Sequence, residues 1–233
     1  MCGKRLSSQE NALCFPCLMH LPLTGYHTVK HNDLEKHFWG QFPIEKAVAM
    51  FYHNGENTRH IIYHIKYYGH PNVATYMASI YANELKEYHF FDDIDAIIPL
   101  PLHWRKQMKR GYNQSHYIAK GLQKATGLPV LYRVVKRVAN NPSQTHFTAQ
   151  ERTENVKNLF RLMYPEKIAG KHILLVDDVT TTGATLTSCA KELAKASNVK
   201  ISILTLAVAS RDSIPATEKD HIDVSVFGIP LME

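Results

Sequence analysis

A chain of 233 residues with 45% hydrophobic and 21% charged residues has the make-up of a folded globule, which excludes a wholly disordered polymer. No apolar run approaches the ~20 residues that a membrane-spanning helix needs, and no basic stretch followed by an apolar one opens the sequence. The expectation is a cytoplasmic protein without membrane insertion or a secretory signal. Lys and Arg outnumber Asp and Glu by 27 to 21, so the favoured partner is an anion.

In chain order, residues 1–40 come first. They carry Cys2, Cys14 and Cys17, scattered histidines and little periodic apolar pattern, which reads as a small cysteine-bearing module ahead of a larger domain over 41–233. Ile61, Ile62 and Ile65 precede Lys66-Tyr67-Tyr68-Gly69 and predict a helix closing on Gly69. Val73, Met77, Ile80, Tyr81, Leu85 and Tyr88 keep helical spacing and predict a second. Residues 94–98 predict a short strand stopping at Pro99. Gln114 to Thr126 predicts a helix with Ile118, Leu122 and Ala125 on one face and Gly127 ending it. Strands are expected at 130–135, 159–163, 172–176, 201–208 and 224–227, with a polar stretch over 140–157 and a helix after Gly183 that buries Leu186, Cys189, Ala190 and Leu193. Alternating strand and helix predict an α/β domain with a largely parallel sheet.

The most informative stretch is Ile173-Leu174-Leu175-Val176-Asp177-Asp178-Val179-Thr180-Thr181-Thr182-Gly183-Ala184-Thr185. A buried strand ends in two acids, and hydroxyls with a glycine lead into a helix. Turn amides and the first N–H groups of such a helix lack partners and cradle a phosphate, assisted by the helix dipole. Gly183 lets backbone approach the anion, and Thr181, Thr182 and Thr185 add donors. Asp177 and Asp178 would repel that phosphate. They are placed to accept from a sugar diol, with a divalent cation nearby.

This run resembles the phosphoribosyl pyrophosphate (PRPP) loop of type I phosphoribosyltransferases, although Thr180 stands where that loop is usually aliphatic. Ile98-Pro99-Leu100-Pro101-Leu102-His103, followed by Lys109-Arg110-Gly111-Tyr112-Asn113-Gln114-Ser115, resembles a block of the ComF-type proteins. Gln144-Thr145, Arg152, Asn155 and Phe160 resemble another, and Lys66-Tyr67-Tyr68-Gly69 a third. The resemblance implies a type I phosphoribosyltransferase fold with a mostly parallel sheet and a small zinc-ribbon-like module at its N-terminus. It implies PRPP as ligand, carried with Mg2+, and transfer of its phosphoribosyl group to a nitrogen nucleophile with release of pyrophosphate. It also implies a link to DNA uptake in natural competence. The alternative is a non-catalytic PRPP sensor that binds single-stranded DNA and other competence proteins, with Tyr63, Tyr67 and Tyr68 either stacking bases or forming half-buried surface.

Carried onto this chain, the resemblance makes Asp177 and Asp178 the catalytic pair that holds the ribose hydroxyls. Val179, Thr180, Thr181, Thr182, Gly183, Ala184 and Thr185 bind PRPP, with Thr181–Thr185 on its 5′-phosphate. Residues 99–113 become the pyrophosphate loop, where Arg110 with Gly111 grips the leaving group. Lys66 either reaches a phosphate or favours the C-terminus of its helix. Residues 140–157 have the length and polarity of a lid, in which Gln144, Arg152 and Asn155 either meet the closed site or serve as caps and solvated surface.

Cys14-Phe15-Pro16-Cys17 is a C-x-x-C with Cys2 upstream, while structural Zn2+ takes four ligands. The ComF pattern has two such pairs. It implies that Cys2 is half of the first, in a chain truncated just ahead of Met1. His20 or His27 is the alternative fourth ligand, and three unliganded thiols is the remaining reading. Cys189 reads as core.

Overall fold

The computed structural model describes residues 2–8, 10–53, 55–139 and 159–209. Its central sheet holds β1 (Ile44–Tyr52), β2 (Ala96–Pro99), β5 (His172–Thr180) and β6 (Lys200–Val208), in the order β1-β6-β5-β2 with every pairing parallel. Between β2 and β5 in sequence, β3 (Val135–Arg137) and β4 (Phe160–Leu162) form a separate antiparallel ribbon. The helices are α1 (Phe15–Met19), α2 (Asp33–Phe38), α3 (Glu56–Lys66), α4 (Asn72–Glu87), α5 (Trp104–Arg110), α6 (Gln114–Thr126) and α7 (Ala184–Leu193).

The strands are apolar on both sides because both faces of the sheet are covered. Side chains alternate across a strand, so Leu174 and Val176 of β5 enter one core with Ile61, Ile65, Met77, Leu85, Ile118 and Leu122. Ile173 and Leu175 enter the other, with Leu186, Cys189, Leu193, Val135 and Phe160. On the first face α4 and α6 pack closely. A Cβ at Gly121 would lie 2.3 Å from the carbonyl oxygen of Thr75, so only glycine fits that crossing.

The first forty residues split between these faces. Leu13, Leu18 and Leu21 join the α4–α6 core, whereas Leu34 and Phe38 join the α7 core. The chain crosses from one face to the other along β1, where Tyr52 N donates to Pro22 O (2.8 Å) and Thr24 N to Met50 O (3.1 Å).

Helix α6 matches its expected span. Asn113 caps its start by accepting from Ser115 N, and Gly127, in the left-handed region, ends it. The expected strand at 130–135 instead leaves only a bridge from Val130 to Ile97 before β3 turns away from the parallel sheet. Strand β5 runs four residues beyond its expected end, because β6 continues to pair with it through Thr180. Residues 104–110, expected as loop, form α5, capped by His103 and ended by Gly111 at φ +85. The strand expected at 224–227 and the polar stretch at 140–157 lie outside the described residues.

Candidate functional site

Asp177 and Asp178 occupy the last part of β5, at the carboxyl end of the sheet, where open α/β folds place ligands. They leave the strand on opposite faces. Asp178, 2% exposed, meets α3, its Oδ2 lying 2.9 Å from Lys66 Nζ, and its Oδ1 accepts from Val179 N at 3.0 Å. Asp177, 9% exposed, accepts from Ser115 Oγ at 2.9 Å at the start of α6.

Burial, and then the neighbouring Asp178, push the Asp177 carboxyl up to about 7, against the pull of Lys66. Burial disfavours the Lys66 ammonium, yet Asp178 and Asp177 outweigh it and hold that group above the usual lysine range. Burial lowers Lys106, and the charges of Arg137, Arg110 and Lys66 lower it further. Lys66 and Arg137 are the cations whose charges act on the acid pair.

Around it opens a pocket of about 310 Å3. β5 and the turn after it give Asp177, Asp178, Val179 and Thr181, and α7 gives Thr185. α3 adds Ile62 and Lys66, α6 adds Gln114 and Ser115, β3 adds Arg137, and the segment after β2 adds Leu100, Pro101 and Leu102. His53 follows β1. Among the described residues, Arg137 Nε and His53 Nδ1 are buried without a hydrogen-bond partner.

Of the residues expected around the phosphate, Val179, Thr181 and Thr185 line the pocket. Thr180 is 1% exposed and sits inside the sheet, its hydroxyl 3.5 Å from that of Thr205, which is how a polar residue is accommodated at a usually aliphatic position. Thr182 presents its carbonyl to His37 (2.9 Å), and Ala184 opens α7. At Gly183 (φ +67) a Cβ would meet Phe38 and His37 of α2, so the glycine makes room for a helix.

Arg110 does not line the pocket. It donates to Gln114 Oε1 and stacks over Tyr67 at 5.3 Å, with Gly111 ending its helix. Gln144, Arg152 and Asn155 lie outside the described residues. Arg137 and His53 carried no sequence signal. Gln114 and Ser115 stood in a motif but were not read as lining.

Elsewhere, the Sγ atoms of Cys2, Cys14 and Cys17 all lie within 4.8 Å of one another, with Cys2 Sγ 3.4 Å from Cys14 Sγ. Three convergent thiols suit a soft divalent ion. Neither His20 nor His27 joins them. His20 Nδ1 is 2.7 Å from Pro16 O, and His27 Nε2 is 3.1 Å from Glu84 Oε1. No helix among the described residues is long and apolar enough to cross a membrane.

A parallel sheet with an acid pair and a hydroxyl-rich turn at its carboxyl end defines an α/β domain of the phosphoribosyltransferase type. The phosphoribosyl transferase domain matches residues 112–232, and the chain belongs to that family. It is similar to the ComF/YhgH competence proteins. It is 38% identical over 116 residues to Competence protein F of Haemophilus influenzae (49% of this chain, 51% of that one). It is 37% identical over 99 residues to the DNA utilization protein YhgH of Salmonella typhi (42% and 43%). The matched part thus spans about half the length of the first relative, 51%, and less of the second, 43%. Among solved structures, adenine phosphoribosyltransferase of Saccharomyces cerevisiae is 20% identical with a TM-score of 0.33, covering 55% of this chain and 66% of that one.

Proposed function

We propose that the pocket binds PRPP as its Mg2+ complex and transfers the phosphoribosyl group to a nitrogen nucleophile, releasing pyrophosphate. One observation carries this reading. Asp177, Asp178, Thr181 and Thr185 share a single pocket with Lys66 and Arg137, so acceptors for a diol and donors for phosphates face the same space.

In the reaction, the nucleophile attacks C1′, the bond from C1′ to the pyrophosphate oxygen breaks, and the nucleophile sheds its proton. Positive charge develops on the ribose and negative charge on the leaving group. Asp177 and Asp178 hold the ribose hydroxyls and stabilise the cationic ring, while Thr181, Thr185 and the amides of the turn fix the 5′-phosphate. Arg137 and Lys66 face the pyrophosphate. Arg110 reaches it only by leaving Gln114 and Tyr67. Leu100, Pro101 and Leu102 give the pocket a dry wall, with Gln144, Arg152 and Asn155 assigned to a lid. Two carboxylates form a hard oxygen donor set of the kind Mg2+ takes, and that ion, when bound, supplies counter-charge to the leaving group. We further assign Cys2, Cys14 and Cys17 to structural Zn2+.

The test is pyrophosphate release from Mg2+-PRPP with ammonia and with purine or pyrimidine bases as acceptors. Release that depends on an acceptor is expected. Absence of PRPP binding at millimolar concentration defeats the reading.

A second reading rests on Tyr63, Tyr67, Tyr68 and Trp104, which are exposed beside Arg105 and Arg110, with both arginines stacked on aromatic rings. Such a surface suits single-stranded DNA in a competence role, with PRPP sensed but not consumed. Steeply salt-dependent DNA binding without pyrophosphate release favours it.

A further inference from the structure

We propose that His37 is a positioning residue for the phosphate turn, acting through the Thr182–Gly183 peptide. The inference rests on the reading of that turn as a phosphate cradle. His37 sits on α2, outside the pocket. Its Nε2 lies 2.9 Å from the carbonyl oxygen of Thr182. A carbonyl only accepts, so the ring donates.

Helix α2 is itself held in place. Asn32 caps it by accepting from Leu34 N and Glu35 N, both at 3.0 Å, and donates to Ala47 O of β1 at 2.9 Å. Phe38 is fully buried. Gln41 donates to His37 O at 2.6 Å and accepts from Thr187 Oγ1 of α7 at 3.0 Å. Two side chains from one short segment thus grip both the turn and the helix that follows it.

The contact with Gly183 is equally close. A Cβ there would lie 2.7 Å from Phe38 Cε1 and 2.8 Å from His37 Nε2. Any other residue would force these side chains to shift, even before the strain of its positive φ.

The consequence for a ligand follows from peptide geometry. In a planar trans peptide the N–H of one residue points opposite to the C=O before it. Drawing Thr182 C=O toward α2 turns the Gly183 N–H away from α2. Thr181 and Thr185, on either side of it, line the pocket. The first amides of α7 have no partner within their helix. His37 therefore sets the direction of a phosphate donor before any phosphate arrives, which removes an ordering cost from binding.

Titration calorimetry with ribose 5-phosphate tests this on the wild type and on His37→Ala, His37→Phe and His37→Gln, with apo melting temperatures and the Gly183 amide resonance recorded for each. Phe keeps a ring against Gly183 without a donor, and Gln keeps a donor without the ring. Ala and Phe should weaken binding by about five- to tenfold, the worth of one hydrogen bond, and shift the Gly183 amide. Gln should restore most of both. If Ala does not fold, Phe carries the same readout. Wild-type affinity in the Phe variant overturns the proposal and leaves the phosphate reading standing. Equal loss in all three variants, tracking melting temperature, marks mere packing and overturns it too. A wild type that ignores millimolar ribose 5-phosphate brings down the phosphate reading, and this inference with it.

Discussion

The two ends of the central sheet hold nearly the same chemical groups and use them in opposite ways. At the amino end, His172 lies between Ser202 and Asp93, with Nε2 2.8 Å from the hydroxyl and Nδ1 3.1 Å from the carboxylate. By residue type alone this is a serine–histidine–aspartate relay. Yet Ser202 is 0% exposed and its oxygen already accepts from Lys46 N at 3.1 Å. Asp95 accepts from His172 N at 2.7 Å, and Lys46 Nζ binds Asp93 at 2.6 Å. Although burial opposes it, that lysine holds Asp93 below the usual carboxylate range. Every group is spent on another, so the network ties strands together. At the carboxyl end the acids face a pocket, one is pushed toward neutrality, and two buried nitrogens lack partners among the described residues. The same side chains make a rivet where satisfied and a candidate site where they are not.

That contrast breaks most sharply at His172. His172→Ala opens a cavity and strips Asp93 and Ser202 of a buried partner, an expected loss of about 3 kcal/mol in unfolding free energy. Ligand binding per folded molecule should be unchanged. A weaker Mg2+-PRPP affinity in that variant, measured by calorimetry, would mean that the two ends are coupled.

The converse variant carries the next largest effect. Mg2+-PRPP at a hundredfold excess over its dissociation constant should raise wild-type stability by about 2.7 kcal/mol. Asp177→Asn with Asp178→Asn should abolish that gain and leave the apo protein folded, as read by thermal shift with and without ligand. A full ligand-induced shift in the double variant rejects the assignment of the acid pair.

A further effect concerns protons. The folded Asp177 carboxyl titrates near 7, above its ordinary value of 3.8. Its protonation therefore favours the folded state, fully below about pH 4 and progressively less as pH rises through 7. The wild type should lose stability relative to Asp177→Asn across that window in apo melts. Parallel curves would show that Lys66 neutralises the carboxylate completely.

How far the sequence foretold these ends depends on whether the signal was local. Helix α6 was legible because its caps and its apolar face lie within the segment itself. The acid pair was legible through a contiguous motif, though not the continuation of β5 through it, since that depends on pairing with β6. Helix α5 buries none of its residues and so carries no apolar period to read. The expected strand at 130–135 overlaps β3 only at Val135, and only folding reveals that β3 pairs with β4 instead of entering the sheet. Arg137 and His53 reach the pocket, and His37 the turn beside it, from distant segments, and no spacing encodes such meetings.

The course of the first forty residues along β1 has a practical consequence. Among the described residues β1 is an edge strand, and Pro22 and Thr24 occupy part of its outer hydrogen-bonding edge while Leu21 and Phe38 clasp opposite faces. A protein shortened to begin at Phe42 would bare the outer margin of β1, with its apolar run from Ala47 to Phe51, a template for joining other chains. The cysteine-bearing segment thus works as a selvedge, the finished border that keeps a woven sheet from fraying into its neighbours.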